Sequence, residues 1–536
     1  MTRPMAGSPR ELEIKLRLPR AAAAALPRQA VVRALQRGRA RTETLSATYF
    51  DTDDGRLARN DIALRLRRSG RAWVQTVKGP ALDDAGGGLA ARAEYEWTLA
   101  AGARMPGLDL AAVAATPLGK RVARAAAKAS FGARFTTNFR RTTIPLAFPD
   151  GTRASLCIDV GEVRTLAPGR RRRAFCEVEI ELADGDPLRL FELALTLVDA
   201  LPLAVEARSK AARGHALVTG SPPRPATAAD VQMPEDGDAS AALAAIVRNC
   251  LRQIGANADG LAVDDDPEWI HQMRVGVRRL RSCLALARRL VPPAALGHLE
   301  DDLRWLAAAL GPARDLDVFV HETLPAMRQA SGHATAGTPA AAVSTFEPVL
   351  ASLEEHARAR LDAARRDARD AVASKRMSRL LLAGGALAAT PGLGASAGSA
   401  EAAALAQPAA AFAASILGRR HRRFAKRVAG LAGMPPAERH RTRILAKRLR
   451  YATEFFAPLF PGRRTRAYRM ALADLQAVLG TLNDAAVAAA LAAELGDPAS
   501  PGAALFAGWA AARGESVAQP LERACRAFAR ASPFWK

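Results

Sequence analysis

The feature that most narrows the fold of this 536-residue chain is a change of period part-way along it. Between residues 11 and 182, apolar and polar residues alternate in eight short runs: ELEIKLRL (11–18), LSATYFDT (45–52), IALRLRR (62–68), WVQTVKG (73–79), RAEYEWTL (92–99), RFTTNFRRTT (134–143), RASLCIDVGEV (153–163) and FCEVEIEL (175–182). A period of two places successive side chains on opposite faces of a strand, so these runs, separated by turn residues, predict an antiparallel barrel or sandwich. Helices are expected around 20–37, 110–130 and 187–200. The stretch TGSPPRPATAADVQMPEDGD (219–238), rich in Pro, Gly and Asp, reads as a linker. From residue 239 the alternation gives way to long Ala/Leu/Arg segments with helical spacing, such as HQMRVGVRRLRSCLALARRL, which predict an all-α domain over 239–530. The expected class is therefore α+β, with a β domain first and a helical bundle second.

The helical part carries an internal repeat. His271-x-x-Arg274-x-x-x-Arg278-Arg279-Leu280-Arg281 recurs 169 residues later as His440-x-x-Arg443-x-x-x-Lys447-Arg448-Leu449-Arg450. The register persists downstream, where Leu310-Gly311 followed by Asp315 matches Leu479-Gly480 followed by Asp484. Agreement over a helix and a later turn predicts two pseudo-symmetric halves.

Net charge narrows the partners. The formal charge is +24, of which residues 239–536, with 40 Lys and Arg against 26 Asp and Glu, contribute +14. Such a field attracts polyanions without saying which. The five cysteines form no C-x-x-C pair, so neither a zinc site nor a disulfide framework is expected. No apolar h-region opens the chain, and Leu380–Ala406, broken by glycines, Pro391 and Glu401, reads as a low-complexity Ala/Gly connection rather than a membrane span. A cytoplasmic protein with no membrane association and no obligate protein partner is the expectation.

In ELEIKLRL, Glu11, Glu13, Lys15 and Arg17 share one strand face while Leu12, Ile14, Leu16 and Leu18 share the other. Arg65 with Arg67, Arg92 with Glu94 and Glu96, and Glu177 with Glu179 and Glu181 repeat the pattern. If the strands close, one charged face must point inward, which is tolerable only when it is wet or pairs with ions. Inward carboxylates hold hard divalent cations, and inward Arg and Lys bind phosphate oxygens.

Glu11-x-Glu13-x-Lys15 is the E-x-E-x-K signature of CYTH domains, the triphosphate tunnel metalloenzymes. The chain resembles that family through TYFDT (48–52), ALRLRR (63–68), VKG (77–79), CEVEIEL (176–182) and SKAARG (209–214), in order, over about residues 8–218. The resemblance implies an eight-stranded antiparallel tunnel acting on triphosphates with Mg2+ or Mn2+. It implies catalytic roles for Glu11, Glu13 and Lys15, metal binding by Glu11, Glu13, Asp159, Glu177 and Glu179, and triphosphate binding by Lys15, Arg65, Arg67, Lys78, Arg140 and Lys210. Glu181 and Glu94 stand at the margin of the metal set. Glu96 and Glu162 read as strand-edge or salt-bridging residues, and Arg92 is balanced between the two roles.

On a helix, His271, Arg274, Arg278 and Arg281 share one face, as do His440, Arg443, Lys447 and Arg450. Segment 419–469 holds sixteen Lys and Arg against Glu438 and Glu454 alone, so its repulsion calls for an anionic partner. These motifs, with the turn Leu310–Asp317, resemble the CHAD family, helical domains often found behind CYTH domains. That resemblance implies that the eight residues bind inorganic polyphosphate and that the protein associates with polyphosphate granules. The two histidines lack ligand-spaced companions for a metal. The second copy departs from the first, reading Leu482-Asn483-Asp484 where the first has Ala313-Arg314-Asp315.

The two resemblances together predict hydrolysis of inorganic triphosphate in the tunnel and capture of polyphosphate by the helices. The alternatives are a polyphosphate-binding scaffold with an inactive tunnel, a nucleoside or thiamine triphosphatase, and an adenylate cyclase. Nucleic acid is disfavoured as a partner, because aromatic residues make up 5% of the chain and do not interleave with the Arg stripes.

Overall fold

A computed structural model describes residues 10–536 except 71, 83–85, 100, 101, 103, 128, 167, 168, 221, 222, 334–339 and 497–500. The expected domain start at residue 8 lies outside the described residues. All eight alternating runs form strands: β1 (Arg10–Arg17), β2 (Arg41–Asp51), β3 (Ala63–Ser69), β4 (Ala72–Ala81), β5 (Leu89–Leu99), β6 (Gly132–Ala147), β7 (Arg153–Thr165) and β8 (Arg172–Asp184). Helices of ten or more residues are α1 (Leu188–Ala200), α2 (Lys210–Thr219), α3 (Ala239–Leu261), α4 (Pro267–Ala287), α5 (Pro293–Val318), α6 (Leu324–His333), α7 (Ala340–Ala373) and α8 (Lys375–Ala389). They continue with α9 (Ala409–Val428), α10 (Pro436–Phe456), α11 (Arg463–Leu495), α12 (Pro501–Ser516) and α13 (Ala518–Arg530). Two compact units result. One comprises the chain through residue 226 with 247–264 and 373–390; the other comprises 227–246, 265–372 and 391–536.

In the first unit the strands run antiparallel in the order β5-β4-β3-β2-β6-β7-β8-β1, and β1 also pairs with β5, which closes the sheet into a barrel. The register sets Lys15 opposite Glu179 and Glu13 opposite Glu181 on β8, and Glu11 opposite Arg92 on β5. Because the charged faces turn inward, the apolar faces form the outside and need cover. On β3–β5, Leu64, Leu66, Val77 and Trp97 pack against Val113, Leu118 and Val122 of the short helices Leu110–Ala114 and Gly119–Ala126 and the turn joining them. Each buried side chain of this kind contributes about 1.5–3 kcal/mol, so the exterior layer is what offsets a polar interior.

The TYFDT motif serves this architecture. Asp51 is fully buried and accepts hydrogen bonds from the backbone N–H groups of Thr52 (2.7 Å), Leu57 (2.8 Å) and Ala58 (2.9 Å), which fixes the turn between β2 and β3. A motif residue that looks chemical is thus a cap.

The expected Ala/Gly connection from residue 380 is instead helix up to Ala389, and Leu380, Leu381, Leu382 and Leu387 are buried. The small residues are there for close packing. A Cβ on Gly385 would lie 2.3 Å from the Phe191 ring of α1, and one on Gly384 would lie 3.0 Å from Leu251 of α3. Low complexity here reflects a tight helix contact, which composition alone disguises as a linker.

In the second unit the repeat appears as structure. α4 and α10 are both 21 residues long, begin on Pro267 and Pro436, and so coincide under the shift of 169. Met273, Val277 and Leu280 of α4 and Thr442, Ala446 and Leu449 of α10 are buried. Arg279 is buried too, its guanidinium 5.5 Å from the Phe455 ring of α10, so this arginine of the signature packs the two copies together. Helix α11 is long and apolar enough to cross a membrane by length and composition, but Tyr468, Leu472, Leu475 and Leu479 on it are buried in the helical core.

Candidate functional site

Inside the barrel lies a cavity of about 240 Å3. Alternation along the strands decides what enters it. β1 contributes Glu11, Glu13 and Lys15, β3 contributes Arg65 and Arg67, and β4 contributes Lys78. β5 adds Arg92, Glu94 and Glu96, β8 adds Glu179 and Glu181, and Tyr49, Phe139 and Arg141 come from β2 and β6. α2 brings Ser209, Lys210 and Ala211 to the wall, and Ser209 caps its first turn by accepting from the Ala212 N–H at 3.1 Å. Gly214 lets α2 lie this close, since a Cβ there would sit 2.1 Å from the Phe135 ring.

Three of the residues expected in the tunnel do not line this cavity: Asp159 and Glu177 are fully buried beside it in contact with Lys210, and Arg140 points away from it. Arg140 is exposed, on the outer side of β6, while Arg141 faces in. Two adjacent arginines occupy opposite faces, and the odd-numbered side of β6 is the inner one. Arg141 Nε and NH2 bind the two Asp159 oxygens at 2.8 and 2.7 Å, and the same guanidinium reaches Glu179 and, at 3.1 Å, Glu181. Glu96 lines the cavity and pairs with Arg65 at 3.3 Å and Arg67 at 3.4 Å, so it is salt-bridging but not at a strand edge. Arg92 lines the wall with its guanidinium turned to Asp61 and the Gly79 carbonyl, both at 3.1 Å. Glu162 lies outside and binds Arg164. Arg213, which sequence reasoning passed over within SKAARG, is buried and pairs with Glu177.

The remaining charges fall into two ion-paired groups, one around Lys78 and one around Lys15 and Lys210. Lys78 contacts Glu11 at 2.6 Å and Glu94 at 3.0 Å; Lys15 contacts Glu13 at 3.1 Å and Glu179 at 3.0 Å. Lys210 Nζ lies 2.7 Å from Asp159 and 2.9 Å from Glu179 and also touches Glu177. Burial acts to raise the Glu11 carboxyl, but Lys78 overrides it and holds the group at about 2. Burial pushes Glu94 up to about 7, with Glu11 adding to the shift against Lys78. Glu181 also rises to about 7 through burial, which together with Glu179 outweighs Arg141. Glu13 is raised by burial and by Glu179 in spite of Lys15.

Two carboxylate triads stand out: Glu11, Glu13 and Glu181, and Asp159, Glu177 and Glu179, each with oxygens within 4.8 Å of one another. All-oxygen anionic donors suit a hard divalent cation. The first triad fits better, since each of its carboxylates pairs with one cation (Glu11 with Lys78, Glu13 with Lys15, Glu181 with Arg141), whereas each carboxylate of the second meets at least two among Lys15, Lys210, Arg141 and Arg213.

In the helical unit a groove of about 590 Å3 runs between the repeat copies. Arg278, Arg281, Arg288 and Arg304 line one side and Lys447 and Arg448 the other, with Glu300 as the acidic lining residue. Three of the eight expected polyphosphate residues, Arg278, Arg281 and Lys447, meet here. His440 and Arg443 line a different pocket. Arg274 turns to Asp315 at 3.6 Å and Arg450 to Glu454 at 3.2 Å, while His271 sits in the field of Arg314, its pKa lowered chiefly by burial. Arg288 and Arg304 lie beyond the signature, and Arg448, though within it, lies on the face beside the residues expected to bind.

The CYTH domain family matches residues 9–215 and the CHAD domain family matches residues 245–493. The chain belongs to the CYTH and CHAD families. Similar solved structures include the CHAD domain from the plant Ricinus communis, 34% identical over 57% of this chain and 98% of that one, with a TM-score of 0.47. Another is the putative adenylyl cyclase HpAC1 from Hippeastrum, described as having a dominant triphosphatase activity, 20% identical over 38% of this chain and 95% of that one, with a TM-score of 0.27. PptA from Streptomyces chartreusis is 19% identical over 55% of this chain and 99% of that one, with a TM-score of 0.38. The barrel is thus a CYTH tunnel, of a family of triphosphatases and cyclases that use divalent metals, and the helical unit is a CHAD domain.

Proposed function

We propose that the CYTH tunnel hydrolyses inorganic triphosphate to diphosphate and phosphate with Mg2+ or Mn2+, and that the CHAD domain holds inorganic polyphosphate in the cytoplasm. The observation that carries the first half is the interleaving of cations and carboxylates around one small cavity. Seven cationic and six acidic side chains line it, so a bound triphosphate leaves an excess of negative charge that divalent cations would balance. Inorganic triphosphate is favoured over a nucleoside or thiamine ester by the aromatic residues. Tyr49 is stacked on Phe135 (4.6 Å, 13°), and Phe139 faces Lys210 and Arg141 at 5.1 and 5.8 Å, so among the described residues both aromatic rings that line the cavity are already engaged rather than offered to a heterocycle. The same lack of a base-binding surface weighs against adenylate cyclisation.

A divalent cation on Glu11, Glu13 and Glu181 would neutralise the phosphate chain and supply a water of lowered pKa. Arg65, Arg67 and Arg141 present guanidinium groups for the non-bridging oxygens, and Lys15, Lys78 and Lys210 act as point charges. Each exchanges a carboxylate partner for phosphate, so the cations are oriented before substrate arrives. As water adds to the terminal phosphorus, the bridging P–O bond breaks and the leaving diphosphate oxygen gathers charge beside these groups. No protein nucleophile is required.

For the CHAD domain, the six-cation groove with one acidic residue in its lining supports polyphosphate. The test is phosphate release from tripolyphosphate, ATP, thiamine triphosphate and long-chain polyphosphate, each with Mg2+ or Mn2+. Tripolyphosphate should be hydrolysed at least tenfold faster than either ester, and Glu13→Gln should lower its kcat by about 100-fold or more. A Glu11→Ala variant as active as the unaltered protein would sink the catalytic reading and leave the scaffold alternative.

A further inference from the structure

The pocket at the second signature helix does not belong with the polyphosphate groove. It has a volume of about 510 Å3, within the roughly 300–1,000 Å3 of small-molecule sites. Arg439, His440 and Arg443 of α10 line one part of it. The rest is apolar or small: Leu479, Leu482 and Ala486 from α11 and Ala510, Ala511 and Gly514 from α12. Asn483 and Glu515 are the remaining polar residues. A phosphate chain gains nothing from an alanine and leucine wall, because desolvating its oxygens there is unfavourable.

Among the described residues, the matching positions of the first copy are buried. Shifted by 169, Arg439, Leu482 and Ala486 correspond to Ile270, Ala313 and Asp317, all of which are at most 2% exposed, whereas Ala486 is exposed. Arg365 of α7 pairs with Asp317 at 2.6 Å, sealing that face. Likewise, a Cβ on Gly311 would lie 3.0 Å from Arg274, whereas the matching Gly480 has open space around it. The second copy has kept the cations of the signature but opened the face beside them. Arg443 Nε is buried and has no hydrogen-bond partner among the described residues.

We infer that this pocket is a binding site for a nucleoside phosphate, with the phosphate held by Arg439, His440 and Arg443 and the base laid against the leucine and alanine wall. Asn483 can both donate and accept at a base edge, and Glu515 can accept from an amino or imino group. The ligand combines the two chemistries that the lining offers: an anion at one end and a flat, weakly polar body at the other. The site goes beyond the polyphosphate reading and does not depend on the tunnel.

The experiment is calorimetry on the full chain in EDTA with ADP, GDP and UDP, beside inorganic diphosphate and adenosine. At least one nucleotide should bind at least tenfold more tightly than diphosphate and than adenosine. Ala486→Trp or Ala511→Trp, each filling the pocket from an exposed position, should abolish that binding while polyphosphate binding and tripolyphosphate hydrolysis stay within about twofold of the unaltered protein. Thermal melts of both variants identify either one that fails to fold, in which case the other decides. Equal affinity for diphosphate and nucleotide, no binding of any of the three nucleotides, or nucleotide binding untouched by a folded pocket-filling variant would each overturn the inference.

Discussion

At positions 140 and 141 of β6 two arginines stand side by side, and only the second enters the cavity. Arg141→Ala removes contacts to Asp159, Glu179 and Glu181 together, so kcat for tripolyphosphate should fall by about 100-fold or more, whereas Arg140→Ala should leave it within about twofold. Steady-state kinetics of the two variants side by side would check this. The pair also marks the limit of legibility in a strand. Period-two alternation separates two faces but does not say which is inside, and a motif match one residue out moves the side chain to the opposite face. For β1 and β8 the answer was readable because three charges recur on one face, as in Glu177, Glu179 and Glu181. Arg213 was not readable, because its partner Glu177 is distant in sequence and no period links the two.

On the scale of single elements, α4 and α10 were legible to the residue, since the shift of 169 that aligns their motifs also aligns their ends. Helix α8 was not, because glycine is a poor helix former and its role at Gly385 depends on Phe191, nearly two hundred residues earlier. The α10 side of the groove carries a titratable contact. Burial, reinforced by Arg443 and Arg278, lowers the Lys447 ammonium to about 8. Lys447 is therefore charged below pH 8 and loses its charge above it, while a bound polyanion favours the charged form. Polyphosphate affinity should fall by about tenfold between pH 7 and pH 9, the scale of one charge-assisted contact, and Lys447→Arg should flatten the dependence. Equilibrium binding at fixed ionic strength across that range measures it.

Taken as a whole, the molecule carries +24, yet its two charged sites meet solvent differently. The groove cations are largely accessible, as Arg288 and Arg304 are more than 60% exposed at the side chain, whereas Lys15 and Lys210 are at most 7% exposed. Raising salt from about 50 to about 200 mM should therefore weaken polyphosphate binding by orders of magnitude while changing the KM for tripolyphosphate by only a fewfold. Titrations and kinetics in the same buffers would separate the two responses, and a steep loss in both would mean that the tunnel charges are as open to screening as the groove.

The pairing of β1 with both β8 and β5 gives the barrel wall no seam. A ring of strands bonded all the way round cannot part sideways without breaking backbone hydrogen bonds, so under the proposed reaction phosphate would come and go along the axis. The wall would then act as a gauge, admitting a guest by its cross-section as well as its charge.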